Sequence, residues 1–207
     1  MPETVGGLTV PYITLWSGER KPLPPLVRRV GRGGEGIGYL DEFPYERGEL
    51  AGELWVRQAL ARGVGVPEFA AVHARRQRRA MRYLLCQVCG RPARAGEDEP
   101  VLFLLSGTAP VAEGERTDAP PVCVACAPIA VRQCPRLRKA HTAVWVGYPF
   151  AWGVAGVLCD LDTFTAIPGD DLVEVAYEDP RIRRLIACRE VLALCECTPA
   201  DIADLTT

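Results

Sequence analysis

Apolar positions in this chain fall mostly into short runs divided by glycine, proline and charged breaks, and only a few segments keep a helical period. Residues 8–16 (LTVPYITLW) are β-branched and aromatic and predict a strand, which Pro11 confines to an edge or a bulge. A second short strand over 26–30 runs into GRGGEGIG. Residues 49–61 place Leu50, Leu54 and Leu60 at helical spacing and predict a short amphipathic helix. Residues 67–85 predict another, with Pro67 in the first turn and Phe69, Val72, Met81, Leu84 and Leu85 facing inward. VLFLL at 101–105 predicts a strand, and APIAVRQCPRLRKA, from residue 127, predicts a helix. From Thr142 the pattern turns β: TAVWVGYPF and WGVAGVLCD predict a hairpin around Pro149, and LVEVAY at 172–177 a third strand. EDPRIRRLIACREVLALCE predicts a C-terminal helix. Asp179 caps it, Pro180 takes its first turn, and Ile182, Leu185, Ile186 and Val191 or Leu192 line one face. A capping box from Thr198 to Asp201 opens one last short helix.

These elements predict an α+β fold in three stretches. Residues 1–66 form an N-terminal β/α extension, 67–141 an arginine-rich helix with a metal-binding core, and 142–207 a hairpin and helical region that packs with that core.

Candidate chemistry centres on two Cys-x-x-Cys pairs, Cys86 with Cys89 and Cys123 with Cys126. Four thiolates are the ligand set of a closed, structural zinc site. Gly90 allows the chain to turn back with positive φ and aim backbone N–H groups at sulfur. The second pair falls at the start of a predicted helix. Knuckle, hairpin and then helix, with VLFLL as a strand candidate between the pairs, predict a treble-clef-like zinc finger, with the polar stretches 95–99 and 112–118 as loop insertions.

Composition narrows the partners. A net charge of −2 excludes a globally polycationic nucleic-acid binder and leaves local patches. The densest is Arg75, Arg76, Arg78, Arg79 and Arg82, directly before the first cysteine pair. Such a cluster either contacts phosphates or forms a solvated face that balances a tetrathiolate of formal charge −2. Residues 159–207 carry eleven acids against four arginines, so the two ends of the chain are opposite in charge. Nine cysteines fit a reducing compartment. The start lacks the basic and apolar regions of a leader and no segment holds 18 uninterrupted apolar residues, so a soluble cytoplasmic protein without membrane contact is expected.

Other constellations carry little. Gly31, Gly33 and Gly36 match G-x-G-x-x-G, but Gly38, Pro44 and Gly48 prevent a helix from opening after them, and a hairpin connection is expected instead. Residues 90–122 lack the histidine that a finger-based nuclease needs as general base. Asp160 and Asp162 in VLCDLDTF are similar to the opening of haloacid-dehalogenase phosphatases, but the expected glycine after Asp162 is missing and too little chain remains for that fold. Cys134 reads as a small buried hydrophobe, Cys188, Cys195 and Cys197 as reduced cysteines on a helix face, and His141 as a structural histidine. No catalytic residue is identified.

The stretch RQRRAMRYLLCQVCGRPA, then VLFLL, then PPVCVACAPIAVRQCPRLRKA resembles a group of uncharacterised proteins of actinobacteria and their phages. In these an arginine-rich segment enters a Cys-x-x-Cys-Gly knuckle, and a second pair opens a helix that ends in Cys-Pro-x-Leu-Arg. The likeness spans about residues 75–160 and implies a metal-bound finger on Cys86, Cys89, Cys123 and Cys126. Arg136 stands where a histidine is usual. The leading expectation is a zinc-stabilised, non-enzymatic binding module whose arginine helix contacts nucleic acid or an acidic protein surface. The rival is an accessory scaffold of a biosynthetic or phage-encoded system, and a metal-dependent hydrolase or nuclease comes third.

Overall fold

The computed structural model describes residues 3–31, 34–94, 96, 98–169, 171–203 and 205. It is an α+β structure with many strands and few helices. The N-terminal part holds the small ladders β1 (Thr4–Val5) with β2 (Leu8–Thr9), and β3 (Thr14–Trp16) with β7 (Pro67–Val72). A hairpin of β4 (Leu26–Gly31) and β5 (Gly34–Tyr39) and the two-residue β6 (Leu54–Trp55) lie between them in sequence. Helix α1 (Ala74–Arg82) follows β7 and leads into the first cysteine pair. β8 (Val101–Ser106), β9 (Glu115–Thr117), α2 (Ala127–Gln133) and α3 (Pro135–Lys139) complete the middle. The last part is β10 (His141–Leu158), β11 (Val173–Ala176) and β12 (Leu185–Ala200).

β10 and β12 form a long antiparallel ribbon from Ala143↔Ala200 to Leu158↔Leu185, with register shifts at Ala151/Gly153 and Ala155/Gly156. On the far edge of β10, β8 pairs with its first six residues and β11 with Gly153–Gly156. The Trp152 carbonyl also accepts from Tyr177 N on that side, and residues 147–151 of β10 have no second neighbour strand among the described residues. On the far edge of β12, β6 lies parallel at Ile186 and Ala187, and β9 antiparallel at Leu192–Leu194. The largest apolar cluster joins this sheet to the cysteine region. It includes Phe103, Leu104, Val122, Leu137, Val144 and Leu194 together with Cys86 and Cys126.

Several predicted elements are replaced. Residues 185–200 are a strand, not the C-terminal helix, and only Pro180–Arg184 is helical, as a 3-10 turn capped by Asp179. The residues assigned to one helical face (Ile182, Leu185, Ile186, Val191, Leu192) are all buried, but so are Ala187, Ala193 and Leu194. A run buried on both faces suits a central strand, and pairing with β10 overrides the helical composition. The same ribbon carries on to Ala200, so Thr198 lies in β12 rather than at a helix cap; beyond it Ile202 and Ala203 turn and Leu205, in 3-10 conformation, donates its N–H to the Ile202 carbonyl. The hairpin around Pro149 is one continuous strand. Pro149 falls in the one-sided stretch of β10, where a missing N–H breaks no second ladder. Residues 49–61 are not helical either: Gly52 takes φ +71°, and the buried Glu53 carboxylate accepts from Trp55 Nε1 and Ala51 N. Leu54 is buried there, whereas Leu50 and Leu60 are exposed. Residues 67–72 are strand β7 rather than the start of α1, which leaves Phe69 outside. The predicted strand over 8–16 is split by a turn after Pro11 into β2 and β3. In GRGGEGIG, Gly31 ends β4 and Gly34 to Gly38 belong to β5, so the motif is part of a hairpin, with Arg32 and Gly33 outside the described residues.

Helix α1 is polar, yet most of it is buried, so it docks through hydrogen bonds. Arg76 forms a bidentate pair with the fully buried Glu19, at 2.5 and 2.6 Å, and donates to the Thr14 carbonyl. Gln77 faces the edge of β12 between β6 and β9. Its Oε1 accepts from Glu190 N at 2.9 Å, and its Nε2 donates to the carbonyls of Glu190 and Asp118. One side-chain amide thus satisfies a strand edge where a neighbouring strand is missing. The buried Glu190 carboxylate accepts from Arg82 Nε at 3.0 Å and from Tyr177 Oη at 3.2 Å. His73 caps the helix: its Nδ1 accepts from Arg76 N, so the proton is on Nε2, which donates to Ala59 O at 3.0 Å.

Two outcomes follow for stability. Replacing Gln77 with alanine leaves three backbone groups, two of them buried, without this partner and costs on the order of 3 kcal/mol in a denaturant titration. Gln77→Glu, which keeps the shape and loses the two donors, is also destabilising. Burial holds the His73 imidazole below its ordinary value of 6.5, so as pH falls through that value the unfolded chain takes up the proton first. The His73 contribution is complete above pH 6.5 and is lost as pH falls toward the lower folded value. The midpoint of His73→Asn therefore changes less with pH than that of the parent in this window.

Candidate metal centre and the arginine helix

The first cysteine pair is aimed by the end of α1. Tyr83, Leu84 and Leu85 close the helix in a Schellman turn, with Leu84 at φ +48°, Leu85 N bonded to Ala80 O and Leu84 N to Met81 O. The chain then makes a narrow loop, held by Cys86 N to Arg91 O (2.7 Å), Gly90 N to Cys86 O (2.8 Å) and the Leu85–Pro92 bridge. Gly90 is required twice. Its φ is +72°, and a Cβ there would lie 2.8 Å from the Tyr12 ring. Tyr12 N in turn donates to Val88 O, which ties the loop to the N-terminal segment.

The second pair arrives beside it because Gln87 grips the preceding strand-like segment, N to Pro121 O and Nε2 to Pro120 O, both at 2.8 Å. Val122 N donates to Leu102 O on β8. A 3-10 turn over Val124–Cys126 then feeds α2, with Cys126 N and Ala127 N both donating to Cys123 O.

The result is a compact set of four sulfurs. Cys86, Cys89, Cys123 and Cys126 have all Sγ atoms within 4.8 Å of one another, and Cys89 and Cys123 are 3.9 Å apart. In a tetrahedral tetrathiolate with bonds of about 2.3 Å the sulfurs lie about 3.8 Å apart. The donor set therefore fits a metal ion. Burial favours the neutral thiol at two of the positions, pushing Cys86 up to about 12 and Cys126 upward as well. At Cys89 burial works in the same direction, but the Arg91 N–H and the neighbouring thiols outweigh it and hold the group low. No other group of three or more metal-ligating side chains of this kind is found among the described residues.

The remaining candidate residues are placed as follows. Cys134 packs against the finger's apolar cluster, outside the sulfur set. His141 donates Nδ1–H to the Leu137 carbonyl at 2.9 Å. Asp160 accepts from Asp162 N, Thr163 N and Thr163 Oγ1 in a closed turn, and Asp162 is exposed and paired with Arg28, so the two carboxylates serve the loop. Cys188, Cys195 and Cys197 lie on β12 rather than on a helix.

The arginine cluster divides. Arg76 is spent on Glu19. Arg78 stacks 4.5 Å from the Trp55 ring with Glu190 beyond, and Arg82 pairs with Glu190 and Glu49. Only Arg75 and Arg79 project outward, one helical turn apart. Glu19, Glu53 and Glu190, the buried acids around α1, give no sign in the sequence, since each occurs in a segment that reads as turn or polar face. Comparison with protein-family models, curated proteins and solved structures returned no match. Among the described residues no helix is long and apolar enough to cross a membrane.

Purified protein is expected to hold one equivalent of metal by elemental analysis, with uptake releasing protons because thiols must ionise. Removing the ion with a chelator lowers the melting temperature. Gly90→Ala keeps all four ligands but forces strain and a clash with Tyr12, so it weakens metal retention in a chelator competition while Cys134→Ser does not.

Proposed function

We propose that the protein is a non-enzymatic, zinc-stabilised module that binds nucleic acid through the basic surface around its finger. Zinc is the ion favoured by four thiolates in a closed site with no open coordination position. A treble-clef order suits the finger, since the knuckle at Cys86–Gly90 precedes a ligand pair at the entrance to α2. The strand between them pairs with β10 instead of closing a local hairpin.

The observation that carries the proposal is the charge around the metal. Residues 69–96 hold seven arginines and no carboxylate, and 119–159 hold four basic residues and no carboxylate. Three of the seven are neutralised by acids brought from elsewhere. Arg75, Arg79, Arg91, Arg94, Arg132, Arg136, Arg138 and Lys139 make no ion pair among the described residues. That is far more positive charge than a tetrathiolate of −2 requires. In this reading the free cations contact phosphates, which gives sequence-independent affinity with strong salt dependence. The internal use of Arg76, Arg78 and Arg82 favours a second reading, a scaffold whose arginines serve the fold.

Binding of a labelled oligonucleotide to metal-loaded protein, followed by anisotropy from low to moderate salt, separates the two. The module predicts a steep fall of affinity with salt. Exchanging Arg75, Arg79, Arg132 and Arg136 for alanine makes that slope shallower without changing the melting temperature. Arg76→Ala instead strands the buried Glu19 charge and costs about 3–5 kcal/mol of stability. Absence of salt-sensitive binding leaves the scaffold.

A further inference from the structure

The outward side of α1 also carries aromatic rings, which a purely phosphate-binding surface does not need. The 3-10 turn Pro44–Glu46 sets Tyr45 beside the helix. Tyr45 stacks on Phe43 with centroids 5.4 Å apart and planes 5° from parallel. Both rings are open to solvent, Phe43 by 46% and Tyr45 by 60%.

A guanidinium lies over each of the two rings, and the two differ. Arg57 lies 5.0 Å from the Phe43 centroid and is locked by Glu46 and Asp41. Glu46 is itself buried and accepts from Phe43 N at 2.9 Å, so the Phe43 side is fixed in backbone and side chain. Arg75 lies 5.9 Å from the Tyr45 centroid and has no carboxylate partner among the described residues. Arg79 and Tyr83 follow at one-turn steps along α1, Tyr83 being 69% exposed. The stripe from Arg75 to Tyr83 is about 12 Å long.

Arg75 is the one layer of the stack that is free to move. When it turns to a phosphate it uncovers the outer face of Tyr45, already flat, buttressed and solvent-facing. A nucleobase fills that place. Bases within a duplex are stacked on both faces and offer none, whereas an unpaired base stacks on an aromatic ring with little regard to sequence. Resting on the nucleic-acid reading above, we infer that the α1 face is a single-strand site: a base stacks on Tyr45, the adjoining phosphates lie on Arg75 and Arg79, and Tyr83 takes a second base.

The test uses the full, metal-loaded chain with a labelled oligo-dT and a mixed-sequence duplex of equal length, at matched salt. The single strand is expected to bind at least about 10-fold tighter than the duplex. Tyr45→Ala lowers single-strand affinity by roughly 5- to 100-fold with little change in salt slope, and Tyr45→Trp preserves it. Arg79→Ala reduces the slope by about 0.7. Tyr45 is exposed, so its variants should keep the parent melting temperature and metal content, and Tyr83→Ala gives an independent check. If Tyr45→Ala and Tyr83→Ala both bind like the parent while the arginine variants lose salt-sensitive binding, the stacking site is wrong and the charge-based module stands. If neither oligonucleotide binds, both fall.

Discussion

The burial of a polar helix is the constraint on which the arrangement turns. Of its nine residues only two alanines and Met81 are apolar, so α1 gains its place from directed bonds: Arg76 to Glu19, Gln77 to the edge of β12, and Arg82 to Glu190. Such groups stabilise only when each finds its partner, because an unmatched one in a low-dielectric interior is costly. The helix is therefore fixed in rotation as well as position. That orientation aims Cys86 through the Schellman turn and decides which arginines face solvent.

One element thus couples the N-terminal ladders, the sulfur site and the long ribbon. The ribbon supplies β12, whose edge is filled in turn by β6, Gln77 and β9. β8 and α2, which flank the second cysteine pair, pack through Phe103, Val122 and Ala127 into the apolar cluster beneath the sulfurs. A metal at the sulfurs would close the last side of this framework, holding two chain segments that otherwise meet through the contacts of Gln87.

The four cysteines were legible because ligand chemistry imposes both residue type and spacing, and nothing else in the chain repeats that pattern. Strands at 26–31, 101–106 and 173–176 were legible from β-branched runs between breaks. The long ribbon was not, since its pairing is between residues about 30 to 60 apart and each half alone has a composition that suits a helix or a hairpin. Ile182 and Leu185 were correctly expected in the core while the element around Leu185 was mistaken, because burial depends on hydrophobicity and strand formation on a partner. The arginine run showed its charge but not its division. Telling Arg75 from Arg76 requires knowing that Glu19, 57 positions away, comes to rest beneath the helix.

Residues 147–151 of β10, bare along one side between β8 and β11, have a consequence for behaviour at high concentration. Unpaired strand edges recruit matching strands from other molecules and so seed aggregation. Here the opening is only five residues long, bounded at both ends by chain already in place, and Pro149 at its centre offers no N–H to an incoming chain. A proline that looks like a turn signal thus acts as a guard against intermolecular sheet growth.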